Sequence, residues 1–166
     1  MALSAPQDLK QYHSTAQALG ETSVNADGML VIDGFENLLM LIKQFPWPVT
    51  TPQGEIERPG PLGMVMAKPQ QLKTYQQGPM TMIETQSGMV QTFLEQVVAR
   101  NRGVFQGRVF EGTPTRFVRG YRLLDCFFVS DNPDRDQENR ATLTTISGTM
   151  HYHFYGDKIA GNVAVL

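Results

Sequence analysis

The stretch Ala141-Thr-Leu-Thr-Thr-Ile-Ser-Gly-Thr-Met-His-Tyr-His-Phe-Tyr155 carries the clearest β-strand pattern of the chain, because its side chains alternate with a period of two. One set of alternating positions becomes apolar towards its end and is expected to face a core: Thr142, Thr144, Ile146, Gly148, Met150, Tyr152 and Phe154. The other set is almost wholly polar and has no Lys, Arg, Asp or Glu: Leu143, Thr145, Ser147, Thr149, His151 and His153. The pattern predicts one long strand with a core face and an uncharged polar face.

Two histidines stand at a spacing of two in this strand, which places the rings of His151 and His153 on the same face. A metal site needs a third and usually a fourth ligand, for which the remaining candidates are His13, Asp125 and Asp157. Two interpretations follow. The pair belongs to a small metal-binding β-barrel enzyme, or it supplies two polar aromatic rings to a solvated strand face.

The segment before this strand predicts a helix and two further strands. Residues 87–101 have apolar side chains on one helical face, with Ser87 as the expected cap and Gly103 closing the end. That face consists of Met89, Val90, Phe93, Leu94, Val97 and Val98. Residues 104–111 and 115–129 predict strands, and a polar loop with Pro133 follows them. The helix is expected to face the core and to carry no site.

The first half of the chain is harder to assign. Residues 1–26 are polar and predict an arm that orders against a neighbour, whereas residues 27–166 predict a single β-domain. The apolar run 38–42 fits either a buried strand or a short helix.

Seven of the ten prolines lie between residues 45 and 79. Because proline cannot donate to a β-ladder, this segment predicts an extended, partly irregular loop with short edge strands near 62–67 and 73–77. A separate strand is expected at 79–84.

Composition excludes several classes of function. The chain has 166 residues, a net charge of −2 and 18% charged residues, which argues against a disordered chain and against a dedicated nucleic-acid binder. Its one cysteine, Cys126, excludes an internal disulfide and a cysteine-based zinc site. The chain has no phosphate-binding glycine loop and no nucleophile elbow. We therefore expect no enzyme activity, cofactor, signal peptide or membrane anchor.

Charge is segregated along the sequence. Residues 100–122 contain a single acid, Glu111, and six arginines: Arg100, Arg102, Arg108, Arg116, Arg119 and Arg122. Residues 131–138 contain Arg135 and four acids: Asp131, Asp134, Asp136 and Glu138. Three interpretations stay open at this point: two surfaces that meet between copies of the chain, a nucleic-acid contact made by the arginines, and two solvated patches of little effect.

The C-terminal half, residues 79–156, resembles the tail-tube proteins of contractile-tailed bacteriophages. The resemblance is carried by Tyr121-Arg-Leu-Leu-Asp-Cys-Phe-Phe-Val-Ser-Asp131 and by residues 139–155, above all by Ser147-Gly-Thr-Met-His-Tyr-His-Phe154. It implies a mainly β fold, a β-sandwich or barrel-like domain with one flanking helix. It also implies that residues 37–43 match the first long strand of that family.

The resemblance further implies an assembly. Six copies would form a ring whose strands join one β-barrel around a lumen, and rings would stack into the tail tube, as in the related type VI secretion tube. The implied partners are further copies of the chain, the tail sheath protein, the tape-measure protein, the baseplate initiator and the tail terminator. Phage DNA would pass through the lumen without being held. The implied location is the virion, after assembly in the host cytoplasm.

Site residues are assigned on this basis. The uncharged face is expected to line the lumen with Thr145, Ser147, Thr149, His151 and His153. The opposite charges are expected to meet between copies, with Arg116, Arg119 and Arg122 against Asp131, Asp134, Asp136 and Glu138. Residues 45–79 and the arm are expected to contact the next ring or the sheath. The alternatives are a tube initiator at the baseplate, a metalloenzyme using His151 and His153, and a monomeric ligand-binding barrel.

Overall fold

The computed structural model describes residues 5–164, and its strands, which hold 41% of the residues, are antiparallel, which confirms the predicted mainly β class. The strands are β1 (Gly28–Ile32), β2 (Ile42–Gln44), β3 (Glu55–Pro59), β4 (Val65–Pro69), β5 (Tyr75–Ile83), β6 (Phe105–Thr113), β7 (Arg116–Ser130), β8 (Thr145–His153) and β9 (Lys158–Ala160). The α-helices are α1 (Pro6–Ala18) and α2 (Met89–Asn101), and short 3-10 helices cover Glu36–Met40 and Pro61–Gly63. Residues 1–4 of the predicted arm and 165–166 of the predicted domain lie outside the described residues.

One curved sheet has the strand order β1-β6-β7-β8-β5-β2, and β9 pairs with the first part of β7. The 15-residue β7 joins its two halves, pairing β6 and β9 early in its length and β8 later. The pairing partner of β7 changes from β6 to β8 at a bulge, where Asp125 has a φ of 46°. The Gln106 amide holds this turn, since it donates to the Asp125 carboxylate (2.9 Å) and accepts from the Asp125 N–H (3.1 Å). Such a bulge bends the strand and lets the sheet wrap around a core.

The core lies between the two halves of the sheet and is closed by α2. It takes side chains from β1, β5, β6, β7, β8 and α2, among them Ile32, Met82, Phe93, Leu123 and Tyr152. Gly148 of β8 lies so close to β7 that a Cβ atom there would come within 2.1 Å of the Val129 carbonyl oxygen. The glycine in the middle of the C-terminal strand is therefore required by the close approach of its neighbour.

Helix α2 confirms the predicted helix but not all of its details. Val90, Phe93 and Val97 are buried, whereas Met89 and Val98 are 40% and 69% exposed and do not belong to the core face. Ser87 is not the N-cap residue either. Instead, the N–H groups of Val90 and Gln91 donate to the Glu84 carboxylate at 3.0 Å. Gly103 ends the helix as expected, with a φ of 83°.

The first half of the chain departs from the sequence-based expectations. Residues 37–41 do not form the strand that the resemblance implied, because the chain turns there in a 3-10 helix and β2 begins only at Ile42. The two strands expected at 73–77 and 79–84 are one strand, β5. Pro79 is tolerated inside it because β2 pairs β5 only at Thr81 and Met82, so no neighbour on that side requires an N–H at Pro79.

The predicted proline-rich loop contains a separate two-stranded sheet of β3 and β4. Its pairing continues to a bridge between Pro52 and Leu72 and to a hydrogen bond from the Lys73 N–H to the Thr51 carbonyl (2.9 Å). We call residues 51–73 the ribbon. The C-terminal strand is shorter than predicted, since residues 141–144 belong to an exposed loop rather than to β8.

Helix α1 occupies much of the segment predicted as a polar arm, so the described chain has two α-helices rather than one. None of its residues is buried. Pro6 at its first turn and Asp8 are ordinary helix-start signals that the sequence-based interpretation overlooked. Neither α1 nor α2 is long and apolar enough to cross a bilayer, and no other helix in the described part of the chain is.

Candidate assembly surfaces

The face of β8 that points away from the core carries all five residues predicted to line a lumen. Ser147 is exposed, and Thr145, Thr149, His151 and His153 are partly buried by their neighbours. The alternating residues Ile146, Met150 and Tyr152 are buried in the core. The predicted division of the strand into two faces is therefore present in the fold.

Neighbouring strands extend this outer face. The register places five residues of β5 beside it, Tyr75, Gln77, Pro79, Thr81 and Ile83, and three of β7, Leu124, Phe127 and Val129. These eight residues include no Lys, Arg, Asp or Glu, so the part of the outer face where β5 and β7 pair with β8 is uncharged. The exposed Arg122 lies two positions before Leu124 on the same face of β7, beyond this part. Sequence reasoning considered β8 alone and missed them, because cross-strand pairing cannot be deduced from one strand.

Stacked rings fix His151 on the outer face. Its imidazole lies parallel to the Phe127 ring, with centroids 4.5 Å apart, and beside the Tyr75 ring at 5.8 Å. The Tyr75 hydroxyl also hydrogen-bonds the Nδ1 atom of His151, and Nδ1 of His153 lies 3.3 Å from the Asp125 carbonyl oxygen. The rings therefore form an aromatic cluster on the outer face.

These contacts bear on the metal-binding interpretation of His151 and His153. Within residues 5–164, no three side chains of His, Cys, Asp or Glu are grouped so that they could hold a metal ion. His13, one of the proposed third ligands, lies in the exposed helix α1.

A buried amide holds the ribbon to the sheet. Gln76 of β5 is 6% exposed, accepts hydrogen bonds from the Val49 N–H (3.2 Å) and the Tyr152 hydroxyl (3.1 Å), and donates to the Val49 (2.7 Å) and Lys73 (3.1 Å) carbonyls. The same burial raises the pKa of Tyr152 to about 12. Sequence reasoning did not single out Gln76, since nothing in its local pattern distinguishes it from Gln77.

The arginines predicted for an interface have different surroundings. Arg119 forms an ion pair with Glu111, and this hydrogen bond, followed by one from the Ser23 hydroxyl, lowers the pKa of Glu111. Arg116 and Arg122 are exposed and form no ion pair with the residues that the structure describes. Only these two of the three guanidinium groups are thus available to another molecule without breaking an internal pair.

The acidic loop lies at the other end of β7 from the β6–β7 turn. All of its acidic residues, Asp131, Asp134, Asp136 and Glu138, are exposed. Arg116 begins β7 and Ser130 ends it, 14 positions later. Within residues 5–164, neither Arg116 nor Arg122 forms an ion pair with an acid of this loop. The structure therefore does not bring these predicted site residues together within one chain.

Two open strand edges flank the outer face. Residues 75–80 of β5 pair only with β8, since β2 reaches no further than Thr81. On the opposite side, residues 127–130 of β7 also pair only with β8 among the described strands. Open edges of this kind present unpaired N–H and C=O groups, which can join a strand of another chain.

Comparison with known proteins places this arrangement among known folds. No protein-family model matches the chain, and no curated protein matches its sequence. Solved structures do match. One is a chain of the PVC sheath–tube complex of an extracellular contractile injection system in the extended state, with a TM-score of 0.58 and 10% identity, covering 89% of this chain and 97% of that one. The chain has a tail-tube-like fold.

Two further structures share the tail-tube-like fold. A chain of the PVC sheath/tube terminator matches with a TM-score of 0.57 and 9% identity, over 86% of this chain and 99% of that one. A chain of the anti-feeding prophage cap, the AFP tube terminating cap, matches with a TM-score of 0.54 and 11% identity, over 80% and 87%. At 9–11% sequence identity, these structural matches show a shared fold. They confirm the fold that the sequence resemblance implied.

Proposed function

We propose that the chain is a structural subunit of a contractile tail or injection particle, in which copies assemble into rings that stack into the inner tube. The observation that carries the proposal is the uncharged part of the outer face, where β5 and β7 pair with β8, with an open strand edge on each side, in a tail-tube-like fold. If the open edge of β5 in one copy pairs with that of β7 in the next, six copies close one β-barrel. The outer face then becomes the wall of its lumen.

Chemistry supports this wall as a conduit. Each Lys or Arg that faced a passing nucleic acid would add sequence-independent affinity for phosphate, and the wall formed by Thr145, Ser147, Thr149, His151 and His153 has none. The aromatic cluster around His151 contributes uncharged rings to this wall. In a phage, the cargo would be the tape-measure protein and then DNA.

Charge supports a head-to-tail contact between copies. A ring needs one surface patch that differs from the patch it meets, and the exposed Arg116 and Arg122 form no ion pair with the acidic loop within residues 5–164. We infer that these two arginines contact Asp131, Asp134, Asp136 and Glu138 of a neighbouring copy. Arg119 is paired with Glu111 of its own chain, so we do not assign it a direct contact with the neighbouring copy.

The remaining partners follow from the same proposal. Helix α1 and the ribbon strands β3 and β4 are exposed and are available to the next ring, the sheath or the baseplate. The subunit would be part of the assembled particle, after assembly in the host cytoplasm, without enzymatic activity or cofactor. The main tube protein is our first assignment, and a tube initiator or terminator of the same fold is distinguished from it by copy number per particle.

Electron microscopy of the concentrated, purified chain tests the proposal. We expect hollow tubes or six-fold rings in negative stain. Dispersed particles of monomer size at every concentration and salt tested would refute the assembly.

A charge-reversal experiment tests the inter-copy contact. R116E/R122E should abolish ring formation while the monomer stays folded, because like charges would then meet at the contact. K43E/R100E changes the net charge equally at exposed positions elsewhere and should assemble as the wild type does. Equal assembly of both variants would show that the arginine contact is wrong.

A lysine scan tests the lumen assignment separately. In assembled tubes, S147K should retain short DNA in low salt and release it as salt rises. S87K places the same charge on an exposed serine near α2, outside the proposed wall, and is the matched control. If the S147K tubes bind no more DNA than the S87K tubes, Ser147 does not face the conduit.

A further inference from the structure

The ribbon projects from the domain as two strands without a core of their own. Every residue of β3 and β4 is exposed, and their pairing is antiparallel from Glu55 with Pro69 to Pro59 with Val65. A two-stranded sheet of this kind is at best marginally stable in water unless another surface covers it. Something that packs against its faces would therefore stabilise it.

The register separates the charges of the ribbon onto its two faces. Residues paired across the strands share a face, and successive residues alternate between faces. One face, which we call the basic face, carries Ile56, Arg58, Met66 and Lys68. The other, the acidic face, carries Glu55, Glu57, Pro59, Val65, Ala67 and Pro69. Two cations thus lie on one face and two anions on the other.

None of these four charges is used inside the chain. The ion pairs that the structure shows within residues 5–164 are Arg108 with Asp33 and Arg119 with Glu111, both outside the ribbon. Each face also presents apolar side chains beside its charges, namely Ile56 and Met66 on the basic face and Val65 on the acidic one. Both faces therefore have the composition of a contact surface, with opposite sign.

We propose that the basic face of one copy's ribbon packs on the acidic face of the same ribbon in the next copy. The inference rests on the self-assembly proposed above and names a second contact, separate from Arg116, Arg122 and the acidic loop. Because the two faces of one ribbon differ, the contact is head-to-tail and repeats from copy to copy, as a ring or a stack requires. A polyanion is a poor alternative occupant, because Glu55 and Glu57 would repel it from half of the ribbon.

Charge-swapped variants test the pairing. E55K/E57K makes both faces basic, and R58E/K68E makes both faces acidic. Neither variant alone should assemble at the concentration at which the wild type does. The concentration needed for half-assembly of each should be about tenfold higher or more, since like charges then face each other. A 1:1 mixture of the two should assemble, because basic and acidic ribbons can alternate. The full swap E55K/E57K/R58E/K68E should also assemble, since it restores opposite faces.

Controls separate this contact from folding and from the proposed function. E21K/E95K changes the net charge as E55K/E57K does, at exposed positions outside the ribbon, and should assemble normally. Unchanged circular dichroism and thermal unfolding of each variant would show that the domain is folded.

The outcomes are distinct. If the one-sided variants assemble like the wild type, the ribbon pairing is overturned while the ring proposal stands. If they fail alone and both the mixture and the full swap also fail, the pairing of opposite faces is overturned. If the wild type itself stays monomeric, the proposed function is refuted and this contact with it.

Cysteine cross-linking provides a second measurement that keeps the native charges on most of the ribbon. E57C places a thiol on the acidic face, and K68C places one on the basic face. Mixed copies of E57C and K68C should form a disulfide-linked dimer under oxidation, at least tenfold more than either variant alone. The native Cys126 is buried and, with its pKa raised to about 12, does not compete. Equal cross-linking of each variant with itself would overturn the proposal.

Discussion

Replacement of Gln76 by leucine tests how the ribbon is held to the domain. The amide bonds both polar backbone groups of Val49, just before the ribbon, and the carbonyl of Lys73, its last residue. Leucine has nearly the same volume and no polar atom, so Q76L removes these bonds without leaving a large cavity. The fold of the sheet should persist, while the attachment of the ribbon weakens.

The expected cost follows from the individual contacts. Three bonds to backbone groups are lost, each contributing about 1 kcal/mol net. The Tyr152 hydroxyl loses its bond to Gln76 but is not left without a partner, because it also lies 3.3 Å from the Trp47 carbonyl oxygen. Burial of the leucine side chain offsets roughly 1 kcal/mol. We therefore expect Q76L to lower the free energy of unfolding by about 2 kcal/mol.

Chemical and thermal unfolding measure this change on monomeric protein. A loss of about 2 kcal/mol corresponds to a melting temperature roughly 4–8 °C lower for a chain of this length. The matched control is Q77L, since Gln77 is the next residue of the same strand and is exposed on the outer face. Its effect should stay within about 0.5 kcal/mol. Equal stability of Q76L and Q77L would refute the role assigned to the buried amide.

Three further predictions concern single contacts. E84A should lower the free energy of unfolding by about 1–2 kcal/mol, because it removes the acceptor for two N–H groups at the start of α2. The control E95A, on the exposed side of the same helix, should change little in the same chemical unfolding assay. The lowered pKa of Glu111 means that its ion pair with Arg119 stabilises the fold above the ordinary carboxyl pKa, and that this stabilisation is lost as pH falls through the lowered value. R119A should therefore reduce the loss of stability at acid pH when the free energy of unfolding is measured against pH. An unchanged acid limb of that profile would contradict the role of the ion pair. Cys126 should resist alkylation at pH 8 in the native protein and react after denaturation, and rapid native labelling would show that the thiol is not buried.

The sequence predicted those parts of the fold whose signal is local. The two faces of β8, the helix α2 and the strand pair β6–β7 follow from periodicity and turn residues, and the structure confirms them within a few positions. Cys126 lies in the apolar run 123–128, and the structure buries its thiol. The prediction of Ser87 as the cap of α2 was wrong, because the N–H groups at the helix start bond the carboxylate of Glu84, which lies further back in the preceding segment.

The rest depended on contacts between distant segments. Whether Pro79 interrupts a strand is decided by how far β2 extends beside it, which no window of sequence around Pro79 contains. Gln76 and Gln77 have the same side chain, and only Val49 and Tyr152, distant in sequence, make one of them structural. The charges of the ribbon were visible from the start, but they separate into two faces only once the register of β3 against β4 is known.

A net charge near zero does not mean that charge is evenly distributed over the chain. If copies meet head to tail as proposed, each copy supplies both charge signs to the contact. The residues of the outer face where β5 and β7 pair with β8 carry no charge. The sum of −2 therefore conceals an ordered distribution, with opposite charges at the two ends of β7 and on the two faces of the ribbon. Because these contacts between copies would be exposed and electrostatic, added salt should weaken assembly well before it affects the fold of the monomer, whose core is apolar.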